Sequence, residues 1–115
     1  MSKNIFTDVR TTLLSAAKIL RDRGHCKGKL QDDDGHVCAI GAINVAVGGD
    51  AFFNANDGTE ELIEIRDRTI SAVGSNLPIQ DGEFDLRSRV ALWNNDCSRT
   101  AEQVIHAIEH SAGIV

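Results

Sequence analysis

Aromatic residues are scarce in this sequence, which has no tyrosine, one tryptophan and four phenylalanines among 115 residues. A core of stacked aromatic rings is therefore excluded, and the interior must consist mainly of Ile, Leu, Val and Ala side chains. Alanine and leucine have high helix propensity, and there is only one proline to interrupt a helix. The length and composition predict a single mainly α domain over residues 1–115, with about five helices packed round one core.

Long apolar runs are also absent. No stretch approaches the ~18 apolar residues that a membrane-spanning helix requires, and residues 1–6 lack the apolar segment of a secretory signal peptide. Three cysteines cannot all pair, so reduced thiols are expected. These absences predict a soluble protein without membrane association, in the cytoplasm of a bacterium or of an infected host cell.

Positive charge is in deficit, because 12 Lys and Arg residues face 17 Asp and Glu residues, for a net charge of −5. General nucleic-acid binding usually needs a basic surface and is excluded as a function class. Even so, a basic stretch runs from Lys18 to Lys29, shortly before the acidic run Asp32–Asp34. Such cations most often form a solvated helix end. Whether this stretch binds an anion stays open at this point.

Periodicity and capping residues place the helices. Apolar residues recur at spacings of three and four from Phe6 to Leu20, and Gly24 ends that helix. The apolar run from Cys38 to Val47 favours a buried helix over a buried strand, because its length and small residues suit close helix packing. The other three helices run from about Thr59 to Val73, from an Asp85 cap through Trp93, and from about Thr100 through Ala112.

A short β-hairpin is predicted over residues 26–37, between the first two helices. Asp34 and Gly35 are typical of a two-residue type I′ turn, in which both central residues have positive φ. That turn would place Cys38 opposite Gln31, so it predicts no disulfide across the hairpin. The fold class is therefore mainly α with a small β component.

Two motifs are specific enough to indicate a family. The first comprises Arg23–Gly28 with Asp34–Ala42, and the second comprises Leu92–Asp96 with Arg99–Ile105. On these motifs the chain resembles a group of small proteins of unknown function found in actinobacteria and their phages, and the likeness extends from the first helix to the last. The chain departs from the common pattern at His25, where tryptophan is usual, and by an extra Asn94. The resemblance implies the domain layout and a phage or bacterial origin, and it carries no catalytic residue across.

Cysteines and histidines offer a candidate metal site. Cys26 and Cys38 could supply thiolates, and His106 and His110 share one face of the last predicted helix. Two Cys and two His suit tetrahedral zinc, but eleven residues separate the cysteines, where structural zinc sites usually have two to four. Solvated helix histidines explain the pattern better, so no cofactor is predicted.

A cysteine nucleophile is the second candidate. Cys38 lies at the start of a predicted helix, where the helix dipole lowers a thiol pKa. His36 or His25 could act as the base, and Asp96 could orient that base. The apolar neighbours of Cys38 indicate instead a small core residue, whereas Cys26 is expected to be exposed.

The third candidate is an interaction site after the fourth helix. An exposed Trp93 beside Asn95, Asp96 and Arg99 matches the composition of binding hot spots. The competing interpretation is structural: Trp93 anchors a helix end in the core, asparagine supplies left-handed backbone, and Asp96 or Ser98 caps the next helix.

The leading functional prediction is a small non-enzymatic protein that binds another protein, of host or regulatory type. The lack of a coherent catalytic set, and of phosphate-cradling or dinucleotide motifs, supports this prediction. The alternative is an enzyme or zinc protein centred on Cys26 and Cys38 with the histidines. The expected partner is a protein, and a homodimer is left open.

Overall fold

The computed structural model describes residues 5–53, 58–78 and 85–114. Within these ranges the chain forms five helices, so the prediction of a mainly α fold is confirmed. They are α1 (Ile5–Arg23), α2 (Ala39–Gly48), α3 (Glu60–Ser75), α4 (Leu86–Asn95) and α5 (Ala101–Ile114). None of these helices has both the length and the hydropathy that crossing a lipid bilayer requires.

Helix α1 supplies one wall of the core. Its apolar residues follow the spacing of an amphipathic helix, and it packs against α2 and α5. As predicted, α1 ends at Gly24, which has a φ of 90° and whose N–H donates to the carbonyl of Leu20 at 2.9 Å. The buried apolar residues of α1 are Val9, Leu13, Ala16, Ala17 and Leu20.

Helix α2 lies inside the core, which explains its apolar sequence. Residues 39–44 are all buried, and a helix pairs the backbone groups that an isolated buried strand would leave without partners. Cys38 caps the N-terminus of α2, because its Sγ accepts a hydrogen bond from the Gly41 N–H at 3.2 Å. The prediction of a helix rather than a strand over this run is confirmed.

Gly41 allows the segment before α2 to approach the helix closely. A β-carbon at this position would overlap the carbonyl oxygen of Leu30. The same carbonyl accepts a hydrogen bond from the Cys38 N–H at 3.2 Å. The backbone of Leu30 therefore rests on the first turn of α2.

The predicted β-hairpin over residues 26–37 is wrong. This segment contains only isolated bridges, in which Val37 pairs with Gln31 in antiparallel and with His25 in parallel. Val37, and not Cys38, thus lies opposite Gln31, so the expected register is shifted by one residue. The residues around Val37 thus pair with two different parts of the segment, one at His25 and one at Gln31. The region is a folded loop without a continuous ladder of paired strands.

The Asp32 carboxylate explains why the two-residue turn does not form. A type I′ turn needs positive φ at both Asp34 and Gly35, but only Gly35 has it, at 86°. Asp32 Oδ1 instead accepts from the N–H groups of Asp34 at 3.0 Å and His36 at 2.9 Å. These bonds close a wider turn from Asp32 to His36, which is completed by backbone bonds between these two residues and from Gly35 to Asp32.

The turn after α4 also differs from the prediction. Helix α4 continues through Asn95 and ends at Asp96. Within the described ranges only glycines have positive φ, so the expected left-handed asparagine is wrong. Neither Asp96 nor Ser98 caps α5; the Thr100 hydroxyl does so, accepting from the Gln103 N–H at 3.1 Å.

Replacing Gly41 by alanine is expected to destabilise the fold, because the new methyl group would overlap the Leu30 carbonyl. Overpacking of this kind typically costs about 1–3 kcal/mol, which equilibrium urea unfolding would measure. Gly113→Ala is the matched control: a β-carbon there meets nothing within 4 Å, and alanine favours a helix by up to about 1 kcal/mol. Equal destabilisation of the two variants would contradict the close approach at Gly41.

Candidate functional site

The two sequence motifs meet at one buried amide. Asn94, on α4, is only 1% exposed. Its Nδ2 donates to the carbonyl of Cys26 at 3.2 Å, and its Oδ1 accepts from the N–H of Ala39 at 3.0 Å. A side chain of the second motif therefore holds both the loop of the first motif and the N-terminus of α2.

The orientation of this amide fixes the tautomer of His25. The Nε2 atom of His25 lies 2.7 Å from Asn94 Oδ1, and that oxygen also accepts from a backbone N–H. Because a carbonyl oxygen can only accept, Nε2 must carry the proton and donate it. His25 is thereby used within the fold, where its Nε2 bonds to Asn94.

Two further hydrogen bonds join the same segments. The Oδ1 of Asn95 accepts from the N–H of Gly28 at 2.8 Å, and Lys27 Nζ donates to the carbonyl of Cys97 at 3.2 Å. Asn95 was predicted as an interaction residue, and the structure gives its side-chain oxygen an internal partner.

Both cysteines of the first motif are buried. The expectation that Cys26 is exposed is therefore wrong; its Sγ donates to the carbonyl of Lys29 at 3.4 Å. Burial raises the pKa of both thiols, and the neighbouring Cys38 adds to the rise at Cys26. Since the thiolate is the reactive form of cysteine, these environments disfavour nucleophilic chemistry.

The other members of the candidate nucleophilic site do not converge on Cys38. His36 Nδ1 lies 2.9 Å from Asp32 Oδ2. Asp96 Oδ1 accepts from the hydroxyl and the N–H of Ser98 at 2.7 and 2.9 Å, and these bonds lower the pKa of Asp96. Each group thus has a partner other than the thiol.

The four candidate zinc ligands lie in two different environments. Cys26 and Cys38 belong to the core, whereas His106 and His110 are exposed on α5. Among the residues that the structure describes, these four are not grouped at ligand distance. The geometry gives the zinc interpretation no support.

A different trio has its ligand atoms within 4.8 Å of one another: Asp32, Asp34 and His36. Both carboxylate oxygens of Asp32 already accept hydrogen bonds from this turn. Burial acts to raise the pKa of Asp32, but the bonds from His36 and Asp34 outweigh it and lower the pKa. The turn accounts for this cluster without a metal ion.

A cleft of about 610 Å³ lies between the C-terminal end of α3 and helix α5, and is called the α3/α5 cleft below. Its apolar lining comes from Leu77, Pro78, Trp93 and Ala107. Trp93 is 7% exposed, so the prediction of an exposed tryptophan is wrong. The ring anchors the end of α4 and contributes to the floor of the cleft.

Arg99 lies over this floor in a fixed orientation. Its guanidinium carbon is 4.2 Å from the centroid of the Trp93 ring, and its Nε donates to the Trp93 carbonyl at 3.1 Å. The two Nη groups have no hydrogen-bond acceptor among the described residues. Stacking and one backbone bond therefore hold the side chain, while two of its nitrogens remain available to a ligand.

His106 and His110 line the same cleft, one helical turn apart. Both are exposed, and neither ring has a hydrogen-bond partner within the described part of the chain. Glu102 also lines the cleft, but Arg21 Nη1 binds its carboxylate at 3.1 Å. The cleft thus offers hydrogen-bond donors on Arg99 and on the two rings, although the chain as a whole is acidic.

Three of the five cations in the stretch from Lys18 to Lys29 bond inside the fold. Arg21 bridges two glutamates of α5, at 3.1 and 3.0 Å. Arg23 donates to the carbonyl of Gly35 at 3.0 Å, and Lys27 binds a carbonyl after α4. Internal pairing explains these cations better than an anion-binding role.

The sequence predicts Trp93 and Arg99 as interaction residues, but it does not predict most of the other residues that line the cleft. His106 and His110 were considered only as metal ligands or solvated residues. Their spacing along α5 was the available signal, because it places both rings on one helix face. Leu77 and Pro78 come from the end of α3, and no local pattern connects them with α5.

A family model described as "Family of unknown function (DUF6197)" matches residues 6–113. The resemblance to a family of unknown function is thereby confirmed, whereas the phage or actinobacterial origin stays a prediction. Neither a curated protein nor a solved structure matches the chain.

Replacing Asn94 by alanine is expected to destabilise the fold by about 2–4 kcal/mol, because it leaves two backbone groups, the Cys26 carbonyl and the Ala39 N–H, without a partner. Urea unfolding would measure the loss. Asn95→Ala is the neighbouring control: this residue is exposed, and losing the bonds that its Oδ1 accepts from the Gly28 N–H and from Asn94 Nδ2 should cost less than the loss of Asn94, because Asn94 keeps its bonds to Cys26 and Ala39. Similar losses in the two variants would contradict the central role of Asn94.

Replacing Asp32 by asparagine is expected to make stability less dependent on acid pH. The folded pKa of Asp32 is lowered, so its carboxylate contributes stability above the unfolded pKa of about 3.9 and loses it as pH falls through the folded pKa. Unfolding should therefore cost wild type more than Asp32→Asn at pH ~6, and this difference should shrink towards pH ~2.5.

Asp33→Asn is the control for this experiment, because the Asp33 side chain has no hydrogen-bond partner among the described residues. Its stability should follow that of the wild type at both pH values. A difference between wild type and Asp32→Asn that does not change with pH would show that the bonds to the carboxylate do not depend on its charge.

Proposed function

The chain belongs to the DUF6197 family of unknown function, and we propose that it is a non-enzymatic binding protein that docks a segment of another protein in the α3/α5 cleft. One observation carries the proposal. An apolar floor lies beneath the Nη groups of Arg99 and the rings of His106 and His110, which have no hydrogen-bond partner within the described residues.

The size and shape of the cleft support a polypeptide as its occupant. Its volume of about 610 Å³ lies within the range of roughly 300–1,000 Å³ that is usual for ligand sites. The exposed residues Gln103, His106 and His110 line it along two turns of α5, which correspond to roughly 10 Å. An extended or helical segment could lie along this helix and place one apolar side chain against Trp93.

The apolar floor of the cleft would contribute binding free energy when an apolar side chain of the docked segment packs on it. Leu77, Pro78, Trp93 and Ala107 offer apolar surface, and burial of apolar area contributes roughly 25 cal/mol per Å². Tryptophan and arginine are the residue types in which binding energy is most often concentrated. Trp93 and Arg99 stack at this place, so the cleft contains both.

Binding is better supported than catalysis. Among the described residues that line the cleft, Glu102 alone has a carboxylate, and this group is bonded to Arg21. Cys26 and Cys38 are buried elsewhere with raised pKa values. Burial and the raised pKa values weigh against the alternative of an enzyme centred on these thiols.

The proposed compartment is the cytoplasm, and the proposed partner is a host or regulatory protein there. The three cysteines of the chain are all free thiols. Free buried thiols suit a reducing compartment, because oxidising compartments favour disulfides.

The test uses the fluorescence of Trp93, which is the single tryptophan of a chain without tyrosine. A displayed library of random dodecapeptides is selected against the full chain. The selected peptides are expected to change the emission of Trp93 on binding. Ala107→Phe, which fills the cleft, is expected to weaken their binding at least about tenfold, or roughly 1.4 kcal/mol.

Ala101→Phe is the matched control, because it adds the same ring at an exposed position of α5 outside the cleft. This variant should bind the selected peptides as wild type does. Peptides that leave the emission of Trp93 unchanged, or that bind both variants equally, would overturn the proposal. So would a self-association that Ala107→Phe abolishes, because the occupant would then be a second copy of this chain.

A further inference from the structure

The polar side chains of the α3/α5 cleft offer many hydrogen-bond donors. Arg99 has two Nη groups without an acceptor among the described residues, and His106 and His110 add two exposed rings. Gln103 uses its Oε1 to accept from the Thr100 N–H at 2.9 Å. Its amide NH₂ group is thereby left as a further donor at the cleft.

The cleft also has acceptors, on Glu102, Asn76 and the unprotonated ring nitrogens of the two histidines. Glu102 is bound by Arg21 at 3.1 Å, across the packed surface between α1 and α5. Asn76 donates through Nδ2 to the Ala72 carbonyl and retains Oδ1 as an acceptor. The guanidinium of Arg99, with two Nη groups that have no acceptor among the described residues, favours an occupant that supplies oxygen acceptors and is negatively charged.

Arg99 is preorganised for a carboxylate. Its stacking on Trp93 at 4.2 Å and the bond from Nε to the Trp93 carbonyl fix the plane of the guanidinium. A guanidinium held in this way loses little side-chain entropy on binding, and its planar donors match the two oxygens of a carboxylate.

Charge in the rest of the chain does not favour an acidic ligand. The net charge is −5, so the long-range field is unfavourable to an anion. Attraction would have to come from the Arg99 guanidinium and from hydrogen bonds donated within the cleft itself. A preference for acidic segments would therefore depend on a few identified side chains, which makes it testable.

We propose that the docked segment carries an aspartate or glutamate side chain next to its apolar anchor, and that Arg99, His106 and His110 bind this carboxylate. This inference rests on the proposed docking function and names the chemical class of its partner. The apolar residue of the segment lies against Trp93 and Ala107, and the carboxylate lies at the rim formed by Arg99 and the two rings.

The test uses the full chain and decapeptides with acetylated N-termini and amidated C-termini. Each peptide has one leucine or phenylalanine beside either glutamate or glutamine, in a Gly and Ser background. In titrations of Trp93 fluorescence, the glutamate peptides are expected to bind at least about tenfold more tightly than their glutamine counterparts.

The variants locate this preference. Arg99→Gln is expected to abolish it. Because Arg99 also bonds to Trp93, the double variant His106→Gln/His110→Gln provides a second test at exposed positions, and it should reduce the preference while retaining the fold. Arg68→Gln removes the same charge from an exposed arginine paired with Glu64 outside the cleft, and it should leave the preference unchanged.

The outcomes separate this inference from the docking function. Equal binding of glutamate and glutamine peptides would overturn carboxylate recognition while docking stands. A failed library selection, with no emission change in either peptide series, would overturn docking and this inference together. Preference for lysine peptides, a requirement for a free C-terminal carboxylate, or tighter binding of a single-stranded oligonucleotide would each overturn recognition of an acidic side chain.

Discussion

One buried amide joins two parts of the chain that are far apart in sequence. Asn94 bonds to Cys26 and Ala39, which precede it by 68 and 55 residues. The loop between α1 and α2 has only isolated bridges and no strand ladder. The bonds from Asn94 therefore hold this loop in position. The contact of Leu30 with Gly41 depends on the same arrangement, because the loop must lie against α2 for that contact to form.

The same helix end also positions the α3/α5 cleft. Trp93 and Asn94 are consecutive on α4, and consecutive side chains on a helix diverge by roughly 100°. Asn94 is directed into the loop between α1 and α2, whereas Trp93 contributes to the cleft floor. Fixing the end of α4 through Asn94 therefore also fixes the ring on which Arg99 stacks.

Much of the helical fold could be predicted because it depends on local patterns. The spacing in α1, the cap residues Asp85 and Thr100, and the apolar run of α2 each indicate a helix without knowledge of the rest. Local sequence patterns could not show whether the hairpin over residues 26–37 forms. Its turn residues suit a type I′ turn, but the Asp32 side chain offers the backbone other partners, and sequence spacing does not show which set of bonds is stronger.

The α3/α5 cleft could not be predicted from the sequence for a different reason. Its chemistry depends on which charged side chains lack partners in the folded chain. Three of the five cations that cluster in sequence bond inside the fold, and Arg21 reaches Glu102 and Glu109 across 81 and 88 residues. Arg99 stands outside that cluster and keeps two nitrogens without acceptors among the described residues. A charged run in a sequence records where cations are concentrated, but binding requires cations that the fold has not already used. In the proposed docking function, recognition therefore depends on the cations that long-range pairing leaves unused, and local sequence does not show which cations these are.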